Sequence, residues 1–222
     1  MKKMSFLSAA LVSVILLTFA AITFSEELKP IKLLKPQLDK GKPLMQVLKD
    51  RSSLRSFSNE KLSLQVLSNL LWAAFGVNRV DTGKRTAPSA MNRQEIDIYV
   101  ATADGLYLYD AKAHSLIPIL AEDIRAMTGR QDYVKDAPVT LVYVADYSRM
   151  DSADKDFYSA ADTGFIGENV YLYCASEGLA TVVRASINRQ ALSEAMKLRP
   201  DQKVILAQSV GYPKLVARVS GN

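Results

Sequence analysis

Residues 95–110, EIDIYVATADGLYLYD, alternate apolar and polar side chains on both sides of Asp104 and Gly105. Period-two alternation broken by an Asp-Gly pair predicts two strands joined by a tight turn, so an antiparallel sheet is built into this stretch. SLIPIL (115–120) adds a third strand, and APVTLVYVAD (137–146) is apolar almost throughout, as a fully buried strand requires. Further strands are expected in LATVVRASI (179–187) and KVILAQSVGYP (203–213).

Helical spacing separates these strands irregularly. PLMQVLKDRSS (43–53) and SLQVLSNLLWAAFG (63–76) carry apolar residues three and four apart, the second entered through Ser63 as N-cap, closed by Gly76, with Trp72 on its apolar face. Short helices are expected around AEDIRAM (121–127) and RQALSEAMKL (189–198). The longest runs from Phe157 to Glu177 and is stopped by Gly178. Its small residues Ala160, Ala161, Gly164, Gly167 and Ala175 admit a second backbone, either of a partner chain at a dimer interface or of another element of this chain. Mixed strands and helices without regular βαβ alternation predict an α+β fold, a mixed sheet flanked by helices, in one domain over residues 26–222.

The first 25 residues are different in kind. Lys2 and Lys3 precede an apolar run from Phe6 to Phe24, followed by small or polar residues and Glu26. This pattern predicts an export signal peptide over residues 1–25, and hence a periplasmic or secreted protein. The run is also long enough to stay as an uncleaved membrane anchor, the one case in which a membrane would be a partner. No cysteine ends the run and no Arg pair precedes it, which argues against lipid attachment and twin-arginine export.

Charge and composition exclude several functions. Residues 26–222 hold 26 basic and 23 acidic residues, a net +3, scattered rather than striped, so no nucleic-acid partner is expected. One histidine, His114, and one cysteine, Cys174, leave soft metals without a ligand set, so no metal is expected. His114 reads as part of a hairpin turn and no G-x-S-x-G elbow is present, which argues against a catalytic triad. Cys174 lies in an apolar helical stretch and reads as a small buried hydrophobe.

Two polar stretches remain. RSSLRSF (51–57) places Arg51, Ser53 and Arg55 at alternate positions, so an extended backbone turns two guanidiniums and a hydroxyl to one side. That set suits a phosphate dianion, and it is equally the composition of a solvated basic linker. GKRTAPSAMNRQ (83–94) combines Pro88, the small residues Ser89 and Ala90, and the carboxamides of Asn92 and Gln94. A flat heterocycle with a carbonyl and ring-nitrogen edge could rest there; a plain turn before the next strand is the alternative.

RSSLRSF, then TAPSAMNRQ, then EGLAT (177–181) and SVGYP (209–213), in that order, resemble the nitroreductase family of FMN-dependent oxidoreductases over roughly residues 43–218. The resemblance implies a homodimer with FMN at the subunit interface and a small-molecule substrate. It gives Arg51 and Ser53 to the phosphate, Arg55 to the pyrimidine end of the flavin, and Pro88, Ser89, Ala90 and Asn92 of the partner subunit to the ring and ribityl chain. Val183, Arg184 and Ala185 fall where the family supplies a donor to flavin N5, with Arg184 a possible substrate contact. Arg218 or Lys214 is a candidate for closing over the phosphate. Tyr133, Tyr147, Phe157 and Tyr158 are candidates for lining a pocket. No side chain is expected to act as an acid or base, because the flavin carries the chemistry. The family commonly follows Asn-x-Gln with Pro-Trp, where this chain has Glu95 and Ile96. Export sets the chain apart from cytoplasmic NAD(P)H and leaves its electron donor open. A flavin-binding protein without turnover is the alternative reading, and an interaction domain without flavin a third.

Overall fold

The computed structural model describes residues 27–151 and 153–214. In chain order it contains Ile31–Lys32 (β1), Leu44–Asp50 (α1), Leu64–Phe75 (α2), Val77–Arg79 (β2), Lys84–Arg85 (β3), Ile96–Thr102 (β4), Gly105–Asp110 (β5) and Ser115–Leu120 (β6). Val139–Asp146 (β7), Lys155–Glu177 (α3), Ala180–Arg184 (β8), Arg189–Ala195 (α4) and Gln202–Gly211 (β9) follow. Seven strands form one antiparallel sheet in the order β1-β6-β5-β4-β7-β9-β8, and β2 and β3 form a separate hairpin.

The predicted hairpin forms with its tip one residue earlier than expected. Gly105 already pairs with Thr102, so Ala103 and Asp104 make the turn. β7 lies mid-sheet between β4 and β9 and is buried along its whole length, because both of its faces are covered. Leu141 and Tyr143 join Ile98 and Val100 of β4 beneath α2 and α3. Val142 and Val144 join Tyr99 and Ala101 on the opposite face, against Leu192 and Met196 of the α4 region. A run without alternation is what a two-sided strand needs.

Ser63 caps α2 as expected, its hydroxyl accepting the Val66 N–H. Gly76 ends that helix in extended backbone, and its need for glycine is proximity: a Cβ there would lie 2.5 Å from the Trp72 ring. Gly178 closes α3 in the left-handed conformation, with φ of 71°. The small-residue face of α3 is divided. Gly167 is buried against Gln208, which donates to its carbonyl, whereas Gly164 faces open space beside the exposed ring of Phe165.

AEDIRAM forms a 3-10 turn at Arg125–Thr128 rather than an α-helix. β1 and the β2–β3 hairpin had no period-two signal; they are two or three residues long and held by neighbours, β1 by pairing with β6. Residues 1–25 and Arg218 lie outside the described residues.

Candidate functional site

The first expected site segment leaves α1 at Arg51, whose backbone turns extended at ψ 123°. Leu54 N–H donates to Thr181 O at 3.0 Å, which ties the segment to β8. Tyr171 of α3 organises what lies between. Its hydroxyl is 2.9 Å from Ser53 Oγ and accepts the Val183 N–H at 2.9 Å, while the Arg51 guanidinium lies 5.4 Å from its ring centroid. Three candidates read from two separate segments, Arg51 and Ser53 from one and Val183 from the other, are thereby gathered on one side chain.

Neither Arg51 nor Arg55 has an acidic partner among the described residues; Arg55 makes only a long 3.4 Å contact to Ser53 O. Two guanidiniums left unneutralised beside a hydroxyl are the donor set a phosphate takes. The chain end returns to the same place: Phe57 bridges Pro213, and Lys214 N–H donates to Ser56 O at 3.1 Å. Of the two basic candidates near the C-terminus, Lys214 thus stands beside the arginine segment.

The second segment, 88–94, is a strained and tightly tied loop. Met91, Asn92 and Gln94 adopt φ of 52°, 54° and 51°. Left-handed backbone at a residue with a side chain costs on the order of 1 kcal/mol each. Offsetting contacts hold it: Gln94 N–H donates to Ser89 Oγ at 3.0 Å, and Arg85 Nε to Gln94 Oε1 at 2.9 Å. The Gln94 amide group donates in turn to Gly83 O and Asn92 Oδ1. Gln94, expected to face a heterocycle, is instead consumed in holding its own loop. Pro88 and Asn92 are exposed, as is Met91 at 75%.

This loop is fastened to the same helix as the first segment, at another level. Ala90 N–H donates to Asp162 Oδ2 at 2.8 Å. At about 1.5 Å of rise per residue, Asp162 and Tyr171 stand about 13 Å apart along α3. The two segments are therefore separate surfaces of one protomer.

Arg184 is not in an open cleft. It is 4% exposed, donating to Ser209 Oγ at 2.7 Å and to Thr128 Oγ1 at 3.1 Å, with its Nε unpartnered among the described residues. Burial without an acid lowers its pKa to about 10. This geometry makes Arg184 an interior strut rather than a substrate contact. Ala185, directly after β8, is exposed, while the Val183 N–H is already taken by Tyr171. Of the aromatic candidates, Tyr133 packs on Phe57 and Phe157 on Tyr158, while Tyr147 lines an open cavity with Asp156, Arg189 and Lys203.

No group of three His, Cys, Asp or Glu able to hold a metal occurs among the described residues. His114 sits at the tip of the β5–β6 hairpin, its ring between Tyr109 Oη and Leu34 O, each at 3.0 Å. Cys174 is buried, and burial keeps it a thiol. No described helix is long and apolar enough to cross a membrane.

Three residues central to this arrangement, Tyr171, Asp162 and Glu95, carried no functional signal of their own. Tyr171 and Asp162 sit inside a long helix whose pattern speaks only of packing. Glu95 was visible as a departure from Pro-Trp, with no indication of its surroundings.

The sheet order and the flanking helices define a single-domain α+β protein built on one large antiparallel sheet. The chain belongs to the nitroreductase family, whose model matches residues 48–212. It is 32% identical over 169 residues to a curated candidate nitroreductase of Methanocaldococcus jannaschii, covering 70% of this chain and 85% of that protein. A crystal structure of a candidate nitroreductase from Ralstonia eutropha superposes with a TM-score of 0.82 at 46% identity, covering 88% of this chain and 94% of that one. A candidate nitroreductase from Desulfovibrio desulfuricans, solved in complex with FMN, shares the fold at a TM-score of 0.59 and 22% identity, covering 82% of this chain and 92% of that one.

Proposed function

We propose that this chain is an FMN-dependent oxidoreductase working as a homodimer, with each flavin held between Arg51, Ser53 and Arg55 of one protomer and Pro88, Ser89, Ala90 and Asn92 of the partner subunit. The observation that carries this reading is the convergence of Arg51, Ser53 and Val183 on Tyr171, with both arginines free of acids among the described residues. FMN binding by the Desulfovibrio relative supports the choice of cofactor.

The residues present fit that group. Arg51 and Ser53 offer charge-assisted donors for a phosphate, and Lys214 stands beside them. Arg55 is exposed and can reach the pyrimidine side of a ring, where a cation favours the reduced state. Pro88 and Asn92 present an exposed rigid wall that the same protomer does not use. The dimer is supported by apolar side chains left uncovered on α1 and α3, among them Leu44, Met45, Leu48 and Phe165. When bound, FMN supplies two-electron redox chemistry at N5. The chain's own part is to position the donor and acceptor in turn and to set the electrostatics around the ring.

The same reading includes export, motivated by the Lys2-Lys3 and apolar run of residues 1–25. A protein outside the cytoplasm draws electrons from a donor other than cytoplasmic NAD(P)H, or oxidises its substrate there. Cell fractionation tests this: recovery of the full-length chain only in the cytoplasm removes it.

The deciding experiment is the visible spectrum of residues 26–222 after reconstitution with FMN and removal of excess. A flavin band lost in the Arg51→Ala, Ser53→Ala double variant supports the reading. A folded, colourless wild-type protein overturns it, and a bound flavin that no donor reduces would instead favour a binding protein without turnover.

A further inference from the structure

Glu95 is fully buried, and neither of its carboxyl oxygens has a hydrogen-bond partner among the described residues. A bare carboxylate in that position would lose its hydration without a side-chain hydrogen bond in return. Asp162 of α3, 3% exposed, is the acid that faces it, and the same Asp162 accepts the Ala90 N–H of the 88–94 loop. Two carboxyls confined together do not both ionise readily; the economical state holds one proton between them.

We propose that Glu95 and Asp162 share a single proton, and that this singly protonated pair is the latch holding residues 88–94 in the conformation that receives flavin. The inference rests on the proposed function and deepens it. Glu95 carries the proton and donates it toward the Asp162 carboxyl, which also accepts the Ala90 N–H. When the proton leaves, two like charges oppose each other under a loop already strained at Met91, Asn92 and Gln94. Both residues are positioning residues, since neither is placed against the flavin.

The charged surroundings agree. Burial, the largest cause, and the nearness of Asp162 raise the Glu95 pKa to about 7, against the opposing effects of its own backbone N–H and, smaller, of Arg93. Arg93 is the cation that faces Glu95 from the loop; it pairs with Asp151, and its Nη1 is buried without a partner. From the β7 side, Asp146 N–H donates to Glu95 O and Arg149 Nη1 to Gln94 O, while the Asp146 carboxylate is engaged with Arg149 and Arg199, and Arg149 also with Asp97. Among the described residues, Arg93 is the cation that acts on the pair.

The test is FMN affinity by fluorescence titration from pH 5.5 to 8.5 on the dimeric protein, comparing wild type with Glu95→Gln. Taking the ratio of the two at each pH cancels the titration of the FMN phosphate itself. Wild type is expected to lose about tenfold in affinity relative to Glu95→Gln across the interval, because the neutral amide keeps the latch closed. A ratio that stays constant overturns the proposal. Infrared difference spectra on flavin-free protein give a second reading: a protonated-carboxyl band at pH 6 that disappears in Glu95→Gln supports the shared proton, and its absence from wild type overturns it. Should Glu95→Gln not fold, Asp162→Asn replaces it in both measurements, with loss of the pH dependence again expected. A protein that binds no flavin at any pH refutes the proposed function, and the infrared band then decides the pair alone.

Discussion

Ser53 and Tyr171, residues from two distant parts of the chain, meet hydroxyl to hydroxyl at 2.9 Å, and the same tyrosine oxygen receives the Val183 N–H. One phenol thus joins the segment after α1, the middle of α3 and the edge strand β8. Replacing Tyr171 by Phe leaves a half-buried N–H and a hydroxyl without their partner, a loss of about 1–2 kcal/mol in stability. Urea denaturation of the two proteins measures it, and flavin content on purification should fall in parallel.

Arg51 contributes charge more than packing. Arg51→Ala is expected to weaken FMN binding by about 2 kcal/mol, a factor of roughly thirty, because a charge-assisted contact to phosphate is lost. Raising salt should weaken wild-type binding more than that of the variant. Equal salt dependence of both would show that Arg51 does not face the phosphate.

Stability should fall as pH rises from about 4.5 to 7. Glu95 in the folded chain keeps its proton up to about 7 against an ordinary value of 4.5, so the folded state binds more protons than the unfolded one through that window. The penalty is absent below the window and fully present above it, on the order of 3 kcal/mol. Glu95→Gln should flatten this slope, which denaturant melts at several pH values will show.

Arg184 is a structural cation, and its substitution should read as a folding defect. Arg184→Ala removes the donors to Ser209 and Thr128 and empties a buried volume, for a loss of about 2–4 kcal/mol. Lysine should restore little of it, having no planar fork to span both partners. A variant with unchanged melting and a raised KM for an anionic substrate would return Arg184 to the site.

Strong local periodicity made most of the sheet and helices readable. The β4–β5 hairpin and β7 follow from alternation and from its absence, and α2 from Ser63 and its apolar stripe. β1 and the β2–β3 hairpin were not readable, because elements of two or three residues owe their existence to neighbours rather than to their own pattern. The candidate site can be proposed from sequence where chemistry is concentrated in short motifs, at Arg51, Ser53 and Asn92. It was not legible at Tyr171, Asp162 and Glu95, whose importance comes from what the fold brings beside them. Arg184, a possible substrate contact by the family resemblance, is buried for the same reason, because burial is settled only in three dimensions.

α3 carries both anchors of the candidate site, Ala90 on Asp162 and the Ser53 and Val183 pair on Tyr171. The helix therefore acts as a ruler whose graduations are fixed by backbone hydrogen bonds. One residue inserted between the two anchors would turn one by about 100° relative to the other and shift it by about 1.5 Å, so that the 88–94 loop and the Ser53 segment would lose their present relative orientation. Connecting loops can lengthen without that penalty. Residues 162–171 define a length that this chain cannot alter while keeping both halves of the site in step.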